Sequence, residues 1–161
     1  MSRNLPPGAQ HVQDYLSTAG SRTRVQMLSH TSATAREAAA ALDIPLFQIG
    51  KSIVFSASDK VLVVVLCGDQ RVDIDQLVQT ARVNSVSKLS AEQVKRRTGY
   101  AIGGVSPFGL PEGVQVIVDS RLHSLSSCYV SAGHERAVVL TDGKEIVALT
   151  EALVGAVALK V

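Results

Sequence analysis

Cysteine is scarce in this chain, and its spacing excludes two kinds of stabilising centre. Only Cys67 and Cys128 are present; they form no CxxC pair and lie in apolar, strand-like segments. A zinc site or a disulfide framework needs more cysteine or histidine partners at characteristic spacing. We therefore expect two buried free thiols. The four histidines also lack metal-ligand spacing, so we expect no metal site and no cofactor.

Long hydrophobic runs are missing as well. The longest, Val61–Cys67, has seven residues, whereas a membrane-spanning helix needs roughly 20. The N-terminus lacks the apolar segment of a signal peptide. These absences predict a soluble cytoplasmic protein that has no membrane partner.

Positive charge is only slightly in excess of negative charge. Sixteen Lys and Arg residues face fourteen Asp and Glu residues, a formal net charge of +2, which is too small to indicate a general nucleic-acid-binding domain. A local basic cluster nevertheless precedes a glycine-rich loop. Such a cluster is typical of a solvated helix face, and its position also makes it a candidate for phosphate contacts. Its members are Arg82, Lys88, Lys95, Arg96 and Arg97.

The composition is that of one folded domain. Hydrophobic residues make up 46% of 161 residues, enough to build a core and too many for a disordered chain. We predict a single domain over residues 1–161, with residues 1–5 loose. Strand patterns arrive in hairpins and runs without a regular βα repeat, which favours an α+β fold. We expect a mixed, largely antiparallel, barrel-like sheet surrounded by helices.

Start and stop signals define the predicted elements. Thr34-x-x-Glu37 is a capping box, and Ser90 is an N-cap with Gly99 past the helix end. The first predicted helix begins near Pro7. The other predicted helices cover residues 34–44, 72–81, 91–97 and, more weakly, 145–153. The predicted strands cover residues 25–28, 48–56, 60–67, 115–119, 126–132, 137–140 and 156–161, and the third of them, apolar on both faces, is expected to be central.

Lys51 stands out within a predicted strand. Gly50-Lys51-Ser52 has the wrong spacing for a phosphate-binding loop, since position 45 is proline and no helix follows directly. Strand alternation places Lys51 on the same face as Ile49, Ile53 and Phe55. Its side chain therefore either extends to the rim or lies in a partly desolvated pocket, where an ammonium binds anions strongly.

The loop between Gly99 and Gly113 is the second candidate. Ser106 invites comparison with a hydrolase nucleophile, but Pro107 follows it and has no backbone N–H for an oxyanion hole. Gly103 and Gly104 instead offer backbone N–H groups that can approach a ligand closely. The alternative is a purely structural connection with tight turns.

Six motifs occur in order between Thr34 and His134, and the ordered set resembles the YbaK/EbsC family. The resemblance covers the chain from about residue 12 to the C-terminus. That family is similar to the editing domain inserted in bacterial prolyl-tRNA synthetases. The motifs are Thr34-x-x-Glu37-Ala38-Ala39, residues 48–55, Gly68-Asp69-x-Arg71-Val72-Asp73, residues 98–109, Val118-Asp119 and Ala132-Gly133-His134.

The resemblance implies a standalone trans-editing deacylase with a YbaK-like fold. Such an enzyme hydrolyses the ester between a wrong, small amino acid and the terminal adenosine of a tRNA, here tRNA-Pro. It implies catalytic roles for Lys51 and Gly103, with water as the attacking group. The implied substrate-binding residues are Gly104, Val105, Ser106, Pro107, Phe108, Gly109, Asp119, His134 and His30.

Several alternatives stay open at this point. His134 fits a site or a surface loop, and Asp119 fits a turn or a polar anchor. The partner is the acceptor end of aminoacyl-tRNA, with or without a synthetase, and the oligomeric state is undetermined. The amino acid removed is open among cysteine, alanine, serine and others. The rival function is a non-catalytic module that binds a tRNA end or a nucleotide in the same pocket.

Overall fold

Eight strands and six α-helices follow one another along residues 4–160, the part of the chain that the computed structural model describes. A short 3₁₀ turn covers Leu46–Gln48. The helices are α1 Pro7–Thr18, α2 Ala35–Leu42, α3 Ile74–Ala81, α4 Ala91–Thr98, α5 Ser120–Ser124 and α6 Gly143–Thr150. The strands are β1 Gln26–Met27, β2 Ile49–Ala57, β3 Lys60–Cys67, β4 Ser87–Lys88, β5 Val114–Asp119, β6 Cys128–Ser131, β7 Ala137–Thr141 and β8 Leu153–Gly155.

The central position of β3 is confirmed. It pairs with β2 in an antiparallel hairpin and with β5 in parallel. Its side chains alternate between two hydrophobic clusters: Val61, Val63 and Val65 enter one, whereas Leu62 and Leu66 enter the other. Since both faces of the strand are covered, an unbroken apolar run is needed to form it.

The sheet is mixed and open. Its strand order is β1-β7-β6-β2-β3-β5-β8, and β4 also pairs with β2. Four pairings are antiparallel and three are parallel. The mixed α+β domain is therefore confirmed, but the sheet is not closed as a barrel-like sheet would be. Closure requires the two end strands to pair, and within residues 4–160 the short end strands β1 and β8 do not.

The predicted helix caps are confirmed. Thr34 Oγ1 accepts a hydrogen bond from the N–H of Glu37 at 3.1 Å, and the Glu37 carboxylate accepts one from the N–H of Thr34 at 3.2 Å. Ser90 and Gln93 form the same reciprocal pair at the start of α4. These caps fix where α2 and α4 begin.

The C-terminal strand prediction is wrong. The strand lies at Leu153–Gly155, and beyond it the described chain makes only one isolated bridge, between Ala158 and Val72. Val157 is buried in the second cluster, so the apolar pattern there reflects packing, while backbone pairing is limited to this bridge. Of the segment expected to be loose, residues 1–3 lie outside the described chain, and Leu5 packs partly buried against the core.

Both cysteines are buried and free, as expected. Burial raises the pKa of the Cys67 thiol to about 11 and that of Cys128 to about 12. Within residues 4–160, no helix combines the length and hydrophobicity needed to cross a membrane.

Candidate active site

One edge of β2 loses its neighbour over four residues, and a cavity opens there. β2 pairs with β6 at Ile49 and Gly50 and with β4 at Phe55 and Ser56. Between them, residues 51–54 have no strand partner on that edge within the described chain. The cavity, about 250 Å³ in volume, is called the gap cavity below. It is lined by β2 and also by Ser32–Ala35, Ala38, Ile102, Gly103, Val105, Tyr129–Ser131 and Val138.

Lys51 is half-buried in the wall of the gap cavity. Its Nζ donates a hydrogen bond to the carbonyl oxygen of Gly68 at 3.2 Å. Burial lowers the pKa of the ammonium; Asp69 opposes this shift, whereas the positive charges of Arg71 and Arg36 add to it. The geometry thus matches the partly desolvated alternative. With one of its three N–H donors used, the ammonium retains two for a ligand.

Gly103 also lines the gap cavity, where the loop approaches Ala33 just before α2. Its φ is +90°, and a Cβ atom there would lie 2.9 Å from the Cβ of Ala33, so a side chain would be both strained and crowded. The backbone N–H groups of Gly103 and Val105 have no hydrogen-bond partner among the described residues. The N–H of Gly104 donates to Ala101 at 2.9 Å. Hence Gly103 and Val105, and not Gly104, have N–H groups free for a ligand.

Hydrogen bonds fix the conformation of the rest of the loop. Ser106 is fully buried, and its Oγ accepts a hydrogen bond from the N–H of Phe108 at 3.1 Å. The ring of Phe108 lies in the core, while its carbonyl accepts from the Tyr100 hydroxyl. The carbonyl of Gly109 is 2.7 Å from Nε2 of His11. Of the loop residues predicted to bind substrate, only Val105 lines the gap cavity; Gly104, Ser106, Pro107, Phe108 and Gly109 do not.

The three polar candidates outside the loop also lie elsewhere. Asp119 is a buried anchor: its carboxylate accepts from the N–H groups of Arg121 and Val157, each at 3.0 Å. His134 packs its backbone against Gly104, and its Nδ1 accepts from the N–H of Arg136 at 3.1 Å. His30 is exposed. None of the three lines the gap cavity.

Sequence reasoning missed Ser52 and the segment before α2. The Oγ of Ser52 is buried in the cavity wall and has no hydrogen-bond partner among the described residues. Burying a polar group without a partner is costly, so this hydroxyl destabilises the fold where it stands. A serine following Lys51 in an otherwise apolar strand was the available signal. Nothing comparable marked Ser32 or Ala33, which reach the cavity only through the fold.

The basic cluster does not act as one unit. Lys95 donates to the Gly99 carbonyl at its own helix end, at 3.0 Å, and Arg96 pairs with Glu92 at 3.9 Å. Lys88, in β4, lies beside β2, opposite Phe55. Within residues 4–160, no group of three or more His, Cys, Asp or Glu side chains is arranged to hold a metal ion.

A known protein family matches the segment that forms the gap cavity. Residues 30–149 match the family described as "Aminoacyl-tRNA editing domain". The chain belongs to this family. The matched segment contains all of β2, the loop and the start of α2, and therefore the entire wall of the gap cavity. The resemblance predicted from the sequence is confirmed.

Individual relatives agree with the assignment to the aminoacyl-tRNA editing family. Uncharacterized protein YwhH of Bacillus subtilis is 32% identical over 117 residues, which are 72% of this chain and 74% of that protein. The proline–tRNA ligase of Latilactobacillus sakei is 31% identical over 96 residues, 60% of this chain but only 17% of the ligase. A crystal structure of "a putative trans-editing enzyme for prolyl tRNA synthetase" superposes with a TM-score of 0.89 at 30% identity, covering 98% of this chain and 100% of that one.

Proposed function

We propose that this protein is an aminoacyl-tRNA deacylase that acts in trans. It hydrolyses the ester linking a small, wrongly attached amino acid to the terminal adenosine of a tRNA, with tRNA-Pro as the first candidate. The observation that carries the proposal is the meeting of Lys51 and Gly103 in one cavity of an editing-family domain. The similarity to proline–tRNA ligases supports the choice of tRNA.

Lys51 is proposed to hold the nucleotide end of the substrate. Its partly desolvated ammonium has two spare donors, which suit a phosphate or ribose oxygen of the terminal adenosine. The Gly68 carbonyl fixes one hydrogen bond and so orients the ammonium. Positioning of this kind lowers the entropy cost of reaching the transition state.

The loop is proposed to stabilise the developing oxyanion. Water attacks the ester carbonyl carbon, and the N–H groups of Gly103 and Val105 donate to the oxygen that gains negative charge. The acyl C–O bond to the ribose then breaks, the ribose oxygen takes up a proton, and the free amino acid leaves. None of the described residues that line the gap cavity is a His, Cys, Asp or Glu, so the ribose hydroxyl of the substrate is the group proposed to help activate the water.

The size of the gap cavity favours a small amino acid. Its volume of about 250 Å³ must hold the aminoacyl group together with part of the ribose. Ala33, Ile49 and Ile53 form apolar walls that would clash with a large side chain.

The test is a panel of tRNAs, each charged with a different amino acid. The proposal expects the enzyme to release small amino acids such as alanine, serine or cysteine, and to leave correctly charged prolyl-tRNA intact. Binding of tRNA without loss of any ester would overturn the proposal in favour of the non-catalytic binding module. Activity that EDTA removes and zinc restores would contradict the metal-free mechanism.

A further inference from the structure

A second cavity adjoins the gap cavity. Lys51 and Ile53 line both, so the two spaces meet at the side chain proposed to hold the terminal adenosine. This second cavity has a volume of about 510 Å³ and is called the basic groove below. Its other lining residues are Phe55, Arg71, Val72, Ile74, Lys88 and Leu159.

Among the described residues that line the basic groove, the charged ones are all cations. These are Lys51, Arg71 and Lys88, and no Asp or Glu of residues 4–160 lines it. Arg71 and Lys88 are exposed, and neither forms an ion pair with another described residue. In contrast, nearby Arg121 is paired with Asp69 at 2.9 Å. In a chain whose formal net charge is only +2, three cations in one groove indicate an anionic ligand.

The basic groove also offers an apolar surface. Ile74 and Leu159 are large hydrophobic side chains that are 45% and 48% exposed, and both line the basic groove. The wall that carries Leu159 is held in place, because the N–H of Leu159 donates to the carbonyl of Arg71 at 2.8 Å. Unpaired cations beside exposed apolar side chains suit a single-stranded nucleic acid, whose phosphates and base faces need those two kinds of contact.

We propose that the basic groove binds the unpaired nucleotides that precede the terminal adenosine of the tRNA. Arg71 and Lys88 contact their phosphates, and Ile74 and Leu159 pack against their bases. The proposal rests on the deacylase function proposed above. It adds the path by which the acceptor end reaches Lys51, and it predicts that the enzyme distinguishes a tRNA from a lone nucleoside ester.

The test compares two esters of the same amino acid, one on full tRNA and one on adenosine alone. In the Arg71→Ala/Lys88→Ala variant, the ratio of kcat/KM for the tRNA ester to kcat/KM for the adenosine ester should fall about tenfold or more, as two phosphate contacts are lost. The slope of log affinity for tRNA against log salt should decrease by about 1.4, since each phosphate contact on a single strand contributes about 0.7.

The matched control removes the same charge elsewhere. Lys60 and Lys144 are exposed and line neither cavity, so Lys60→Ala/Lys144→Ala should leave the ratio unchanged. An unchanged ratio in the groove variant, or an equal fall in the control, would overturn the proposal. If the groove variant unfolds more easily, Arg71→Gln/Lys88→Gln replaces it, because the glutamine variant keeps more of each side chain.

If the proposed deacylase function is wrong, the two-ester experiment gives a different result. The wild type would then hydrolyse neither ester, and binding of uncharged tRNA would decide the question of the groove. Affinity about tenfold or more weaker in the groove variant than in the control supports the nucleic-acid groove on its own. Equal affinity overturns it.

Discussion

Ser52 and Ser106 show why two buried serine hydroxyls have different roles. Ser52 Oγ is buried in the cavity wall without a partner among the described residues, whereas Ser106 Oγ accepts a hydrogen bond within the loop. The sequence marks Ser106 because of its resemblance to a nucleophile motif. It marks Ser52 hardly at all, because satisfaction of a hydrogen bond depends on residues far away in the chain.

Removing each hydroxyl should therefore have opposite consequences. Ser106→Ala loses a hydrogen bond and should lower the free energy of unfolding by about 1 kcal/mol while most deacylation is kept. Ser52→Ala removes an unsatisfied buried polar atom, so stability should stay equal or rise. Urea denaturation and single-turnover deacylation measure both effects. An inactive Ser106→Ala variant that remains folded would bring back the serine nucleophile.

At the scale of elements, the loop and the start of α2 form one side of the site. The resemblance predicted that Lys51 and Gly103 act together, and the structure places both on the gap cavity. The resemblance could not indicate that the side chains of Ser106 and Phe108 are buried. A loop lacks the periodicity that separates buried from exposed positions in helices and strands.

The proposed role of Gly103 can be separated from ordinary backbone strain. Gly103→Ala and Gly113→Ala both place a side chain at positive φ, +90° and +86° respectively, and each should cost about 1–2 kcal/mol of stability. Only at Gly103 does the new Cβ meet a neighbour, Ala33, beside the cavity.

Alanine keeps the backbone N–H, but the clash of its Cβ with Ala33 moves that donor away from the oxyanion. We therefore expect the single-turnover rate of Gly103→Ala to fall by up to about 10²-fold, the typical cost when one oxyanion donor is lost. Gly113→Ala should keep the wild-type rate, since nothing lies within 4 Å of its added Cβ. Circular dichroism confirms that both variants are folded at the assay temperature. Equal rates for the two variants would refute the role of the loop in catalysis.

At the scale of the whole molecule, Asp119 ties the C-terminal segment to the sheet. It ends β5, caps α5 and accepts a hydrogen bond from Val157. The sequence predicts the central hairpin well, because β3 is apolar on both faces. It misplaces the last strand, because Val157 is buried through packing against the second cluster, while backbone pairing there is limited to the bridge between Ala158 and Val72.

Asp119 should accordingly matter for stability and not for catalysis. Asp119→Ala leaves the buried N–H of Val157 and the part-buried N–H of Arg121 without their acceptor and should lower the free energy of unfolding by about 2 kcal/mol. Asp119→Asn keeps one side-chain oxygen and should lose less. Thermal unfolding measures this difference. A drop in kcat for fully folded Asp119→Asn, with unchanged stability, would instead support a direct contact with substrate.

The proposed deacylation depends most on Lys51, and Lys60 in the same hairpin provides a matched control. Lys60 is exposed and lines neither cavity. Lys51→Ala should fold normally, because removing a partly desolvated cation relieves a burial cost.

The most direct measurement is single-turnover release of the amino acid from the mischarged tRNA that the wild type hydrolyses fastest. We predict that Lys51→Ala lowers the rate about tenfold or more, the cost of about one charge-assisted hydrogen bond, and that Lys60→Ala leaves it unchanged. A folded Lys51→Ala variant that releases the amino acid at the wild-type rate would contradict the account.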